Sequence, residues 1–230
     1  MKRLIAAADG LNIAQCLNLL SKVGTEIYAI KIHDLYDRGG SVVVSRLRSD
    51  GAKRVWVDAK LHDIPKTVEH RTRALISAGA NIITVHASGG TEMMKAAVEV
   101  ASTKGVEIYA ITILTSLSEK ECQKIYGEIP SIMALQLALM AKDAGVQGIV
   151  CSPHEVKQLS DHSDLRNLGL KFVVPGIRSV GTNTNDQKRF DTPAATIKAG
   201  ATHLVIGRQI TQAQDPKSAL DAIEQEISPI

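Results

Sequence analysis

Aromatic residues are scarce in this chain: Phe, Tyr and Trp make up 3% of 230 residues, so Ala, Val, Ile and Leu must fill the core that a 44% hydrophobic content can build. The scarcity also removes the aromatic ladder on which single-stranded nucleic acid stacks. No basic block stands in for it, because Lys/Arg and Asp/Glu are interspersed to a net charge of +3. That mild balance suits an anionic small molecule better than a polymer. Cysteine is sparse as well. Cys16, Cys122 and Cys151 are odd in number, far apart and without metal-ligand spacing, as expected of reduced thiols in a cytosol. The first apolar run, Leu4 to Ala8, is too short for a signal peptide or a membrane span. A soluble cytoplasmic protein is expected, with neither nucleic acid nor membrane as partner.

What the chain has is one unit repeated. Strands are expected at 4–8, 27–32, 55–57, 81–85, 107–114, 148–151, 171–174 and 203–206. Helices are expected at 13–23, 41–47, 65–77, 92–103, 131–144, 154–160, 193–198 and 216–227. The Val-Val-Val run inside 41–47 is β-prone and the weakest of these assignments. Eight strand–helix units, with strands apolar on both faces and no linker or shift of composition, point to an α/β fold: a closed (β/α)8 TIM barrel formed as a single domain, 1–230.

The stretch Val55 to Val68, V-W-V-D-A-K-L-H-D-I-P-K-T-V, carries the densest chemistry. Side chains two apart on a strand share a face, so Asp58 and Lys60 point one way and Ala59 and Leu61 the other, while Asp63 falls on the turn before Pro65 opens a helix. Other strands also end in polar groups: Asp9, Lys31, His86 with Ser88, Thr115 with Ser116, Ser152, Arg178 and Arg208. In a barrel these ends ring one mouth. Pro175-Gly176-Ile177-Arg178 and Ile206-Gly207-Arg208 place glycine N–H groups and guanidiniums after strands seven and eight, where barrels commonly hold phosphate, and Gln187 in the loop between them adds an amide. Taken singly, a strand-end Asp or Lys is more often a cap or a solvated charge; their joint placement reverses that balance. His62 and His86 read as loop-orienting residues, and Met93, Met94, Met133 and Met140 as packing.

These residues resemble the orotidine 5′-phosphate decarboxylase family over almost the whole chain. The match is carried by Asp9, Lys31, D-A-K-L-H-D-I-P-K-T, V-H-A-S-G-G at 85–90, L-T-S at 114–116, V-C-S at 150–152, P-G-I-R at 175–178, D-Q-K-R at 186–189, T-P at 192–193 and V-I-G-R-Q-I-T at 205–211. The resemblance implies decarboxylation of orotidine 5′-phosphate to UMP, the last step of de novo UMP biosynthesis, with no metal and no cofactor. It implies that Lys31, Asp58, Lys60 and Asp63 form an alternating charge network, with Lys60 protonating C6 and Asp58 beside the departing carboxylate. Asp9, Lys31 and Thr67 would contact the ribose, Thr115 and Ser116 the pyrimidine edge, and Arg178, Gln187, Gly207 and Arg208 the phosphate. Asp63, Ile64 and Thr67 would come from the partner subunit of a homodimer.

Two positions depart from the family's pattern. His33 stands where a glycine is usual, and is expected to crowd the ribose end or reorient Lys31; Lys66 stands where an asparagine is common. Two rivals share the scaffold. Mg²⁺-dependent sugar-phosphate enzymes also carry D-x-K-x-x-D, but H-D-I-P-x-T and the Gln187 loop argue against them. A non-catalytic nucleotide-binding barrel would be expected to lack Lys60 or an aspartate.

Overall fold

The structure is a computed structural model that describes residues 2–179 and 191–228. Eight parallel strands close into a barrel in chain order: β1 (Leu4–Ala7), β2 (Ala29–Ile32), β3 (Val55–Leu61), β4 (Ile82–His86), β5 (Glu107–Ile111), β6 (Gly148–Val150), β7 (Lys171–Val174) and β8 (His203–Ile206). Each strand pairs with its neighbours, and Ile5 opposite Val205 completes the ring. The connecting helices are α1 (Ile13–Val23), α2 (Asp34–Ser49), α3 (Pro65–Ser77), α4 (Thr91–Ser102), α5 (Glu119–Tyr126), α6 (Pro130–Asp143), α7 (Val156–Asp161), α8 (Pro193–Lys198), α9 (Arg208–Thr211) and α10 (Pro216–Ile227). The strands are buried on both faces, which is why they read as apolar runs without alternation.

Alternate residues of each strand nonetheless enter two separate cores. Ile5, Ala7, Ala29, Trp56, Ile82, Tyr109, Ile111, Val150, Val173 and Val205 fill the barrel interior, and a larger aliphatic cluster packs between strands and helices. Two of the few aromatics belong to the interior cluster: Trp56 and Tyr109 meet edge to face with ring centroids 5.4 Å apart. Gly148 opposite them has no room for a side chain, since a Cβ there would stand 2.5 Å from the Tyr109 ring.

The N-terminal mouth is sealed by an ionic cluster around Glu107. Its carboxylate accepts from the Tyr109 hydroxyl at 2.7 Å, Arg54 at 2.8 Å, Lys171 at 3.2 Å and the Tyr28 hydroxyl at 3.3 Å. Arg54 also lies over the Tyr28 ring, 4.5 Å from its centroid.

The helices at 13–23, 65–77, 193–198 and 216–227 and the strands at 171–174 and 203–206 fall where the pattern puts them. Helix α2 starts at Asp34 rather than at 41, because Asp34 and Asp37 favour its first turn and Gly40, at φ 61°, breaks it in the middle. Helix α5 occupies what reads as a polar connection; its capping box, Ser118 with Glu121, was the available signal. Strand β5 stops at Ile111 rather than at 114, and β3 runs on to Leu61.

His203 at the sealed mouth gives the fold a pH dependence. Its ring lies 4.2 Å from that of Tyr28, Nδ1 is 2.9 Å from Thr202 Oγ1, and the residue is 2% exposed. Burial, reinforced by Lys171, lowers its pKa from 6.5 to about 4 against the opposing pull of Glu107. As pH falls below 6.5 the unfolded chain takes up this proton first, so stability drops between there and about 4. His203→Phe is expected to remove roughly 2–3 kcal/mol of the stability lost between neutrality and pH 4, read by urea unfolding at both ends. An equal loss in both proteins would assign the acid sensitivity to other groups.

Candidate active site

At the opposite mouth the strand ends line a cavity of about 500 Å³. Asp9, Lys31, Asp58 and Lys60 come from β1 to β3, Thr115 from beyond β5, and Arg178, Gly207 and Arg208 from the ends of β7 and β8. Ala7, Trp56, Ile111, Val150 and Val205, the upper layer of the interior core, add its apolar lining. The cavity therefore offers an acid–lysine array, arginines and an apolar surface to one ligand.

Asp58 is the centre of the array. Its Oδ2 accepts from Lys60 Nζ at 2.7 Å and from Lys31 Nζ at 3.2 Å, and its Oδ1 accepts from Thr84 Oγ1 at 2.6 Å. Lys31 Nζ also reaches Asp9 Oδ1 at 2.7 Å. Asp58 is 6% and Lys31 7% exposed, so each charge must be satisfied inside the protein. Burial alone would raise the Asp58 pKa, but the two ammonium groups and the Thr84 bond overcome it and bring it down to about 2. Lys31 mirrors this: burial works to lower its pKa, and Asp58 and Asp9 hold it above the usual lysine value. Both groups stay charged across the physiological range.

The backbone that presents Lys60 is irregular. Val57 pairs with Ile83 and Leu61 with Val85, so Asp58, Ala59 and Lys60 face only Thr84 across the β3–β4 ladder. Lys60 itself has φ 46°, a left-handed conformation that costs a side-chain-bearing residue about 1–2 kcal/mol. The expectation that Asp58 and Lys60 share a face is met, by way of a bulge rather than plain alternation.

On the far wall, Arg178 is 8% exposed and donates to the Ile177 carbonyl at 2.6 Å. The two arginine-bearing loops are knitted together by their next residues: Ser179 N donates to Gln209 Oε1 at 3.2 Å, and Gln209 Nε2 to Ser179 Oγ at 2.7 Å. Ser179 Oγ in turn donates to Glu226 of α10 at 2.8 Å.

One chain thus brings together Asp9, Lys31, Asp58, Lys60, Thr115, Arg178, Gly207 and Arg208. Ser116 is exposed beside Thr115, Asp63 and Ile64 are exposed, and Thr67 is half-buried in the first turn of α3; none of these four lines the cavity. Gln187 lies outside the described residues. His33 does not divert Lys31, which keeps both its carboxylates; its ring turns to the Asp58 carbonyl instead. The rings of His62 and His86 lie against each other, 5.5 Å between centroids, and burial, with His62 and Lys60 nearby, lowers the His86 pKa. Sequence reasoning missed Thr84 and Trp56, whose Nε1 lies 3.4 Å from Thr84 Oγ1. The available signal was a hydroxyl in the otherwise aliphatic run Ile82-Ile83-Thr84-Val85.

Residues 2–223 match the Orotidine 5'-phosphate decarboxylase / HUMPS family. The chain belongs to that family. It is 40% identical over 226 residues to an orotidine 5'-phosphate decarboxylase of Rhodopseudomonas palustris (strain BisA53), spanning 98% of this chain and 94% of the relative. To the enzyme of the same name from Nitrosococcus oceani it is 39% identical over 232 residues, covering 98% and 97%. Among solved structures, the orotidine 5'-phosphate decarboxylase of Lactobacillus acidophilus superposes with a TM-score of 0.83 at 32% identity, covering 99% of both chains.

The Asp58–Thr84 bond is open to a direct check in this family member. Thr84→Val keeps the shape and removes the donor, so the chain should lose about 1.5–3 kcal/mol in urea unfolding at neutral pH, the scale of a hydrogen bond to a buried charge. Unchanged stability would mean that the lysines alone satisfy Asp58.

Proposed function

We propose that this chain decarboxylates orotidine 5′-phosphate to UMP without metal or organic cofactor, and that Lys60 delivers the proton to C6. The observation that carries the reading is the Lys60 ammonium held 2.7 Å from a buried, ionised Asp58, in a cavity that arginines also line. Relatives named for this activity, similar over nearly their full length, support it.

The chemistry explains why such an array is useful. When the C6–carboxylate bond breaks, its electron pair remains on an sp² ring carbon, in the ring plane, where the π system cannot absorb it. Stabilisation has to come from a charge placed at that carbon. The Lys60 ammonium provides it and then transfers its proton to C6 as CO₂ departs, leaving a neutral amine that is reprotonated from solvent. Asp58 holds that ammonium in place beforehand, and Lys31 in turn fixes Asp58, so little reorganisation is needed during the reaction. Asp58 would also face the substrate carboxylate, a like-charge contact relieved as CO₂ leaves.

Arg178 and Arg208, with Gln187 and the Gly207 backbone, would bind the phosphate, while Asp9 and Lys31 take ribose hydroxyls and Thr115 and Ser116 the pyrimidine edge. Binding energy from the phosphate, remote from the ring, can then serve the reacting centre. Asp63, Ile64 and Thr67 are assigned to the partner's site in a homodimer. Asp63 and Ile64 are exposed in the single chain and so open to such a contact. The protein is proposed to work in the cytoplasm, on its own substrate and product, without nucleic acid or membrane partners.

The test is the fall in orotate absorbance on mixing the chain with orotidine 5′-phosphate in the presence of a chelator. Lys60→Ala should slow turnover by at least about a thousandfold, and in D₂O the UMP formed by the native chain should carry deuterium at C6. Activity lost to the chelator and restored by Mg²⁺ would turn the reading toward metal-dependent chemistry on the same barrel.

A further inference from the structure

His33 sits where the rungs of the β2–β3 ladder run out. Ile30, Lys31 and Ile32 pair with Val55, Trp56 and Val57, and β2 then ends. At the next rung the Asp58 carbonyl lies 2.8 Å from His33 Nδ1. A carbonyl only accepts, so Nδ1 carries the hydrogen and the ring stands in for the missing strand N–H. On the other side of β3, this is the point at which Asp58, Ala59 and Lys60 bulge out against Thr84 and Lys60 enters its left-handed conformation. The ring is half-buried and, although His33 precedes the first residue of α2, its side chain makes no capping bond to that helix.

The next residue extends the same fastening to β1. Asp34 Oδ1 accepts from Gly10 N at 3.0 Å, and Asp34 also holds Arg38 at 2.8 Å, which donates to the Leu11 carbonyl at 2.9 Å. The pair His33-Asp34 therefore ties the loop after β1 and the bulge of β3 to the end of β2. These are the three strand ends that carry Asp9, Lys31, Asp58 and Lys60.

We infer that His33 is a positioning residue for decarboxylation. Its ring pins the Asp58 carbonyl, and so fixes the peptide units that aim Lys60, where no strand donor is left to do so. The inference rests on the decarboxylase reading. The bond of His33 goes to the Asp58 backbone carbonyl rather than to a side chain assigned to substrate; it acts through the peptide units that lead to Lys60, so its loss should appear in the chemical step rather than in binding.

The experiment compares turnover of orotidine 5′-phosphate and binding of UMP by the native chain, His33→Leu and His33→Asn. Leucine fills the space without a donor, whereas the asparagine amide nitrogen reaches close to the place of Nδ1. His33→Leu is expected to lower kcat by about ten- to a hundredfold, the scale of a small misplacement of a catalytic group. KM and the UMP dissociation constant should stay within about twofold of the native values, because the binding groups are untouched. His33→Asn should recover most of kcat. If His33→Leu does not fold, His33→Gly replaces it with the same expectation. The inference is overturned if the donor-free variant matches the native kcat. It is equally overturned if a folded His33→Asn is no faster than His33→Leu, or if KM rises while kcat holds. A native chain without turnover would instead overturn the decarboxylase reading, and this inference with it.

Discussion

The ionised carboxylate of Asp58, buried between two ammonium groups, is the constraint on which the site depends. A carboxylate at 6% exposure is tolerable only when its oxygens are satisfied, and here Lys31, Lys60 and Thr84 satisfy them. The same contacts fix the lysines. Lys31 is locked between Asp9 and Asp58, and Lys60 is held toward the cavity despite its strained backbone. Charge, strain and position are one arrangement, and removing any member would leave a buried charge less fully compensated.

The barrel supplies the rigidity this requires. Its interior is packed up to the level of Ile111, Val150 and Val205, directly under the charged ring. The opposite mouth is closed by Glu107 and its four donors, so the polar groups of the two ends are separated by an aliphatic and aromatic layer. The division follows the usual logic of the fold, in which one mouth serves stability and the other serves chemistry.

Much of this was legible in the sequence. Strand–helix alternation gave the closed barrel, and the strand-end polar residues gave the acid–lysine array and the arginines, because both depend on local periodicity. What periodicity could not show was the bulge after Val57, which arises from pairing with β4, or the role of Thr84, which is defined by a residue on another strand. The true start of α2 was hidden by Gly39-Gly40 and the β-branched run that follows, where local propensity and tertiary packing disagree. His33 was conspicuous as a departure, but its ring direction is set by the end of β2 and by Asp58, neither of which spacing reveals.

The most direct measurement is the titration of the Asp58 carboxyl carbon by ¹³C NMR, assigned by comparison with Asp58→Asn. The account requires Asp58 to remain ionised, with its pKa near 2, so its chemical shift should stay flat from neutrality down to pH 4. A titration step within that range would show that the lysines do not hold the carboxylate charged, and would contradict the charge array as the basis of the site.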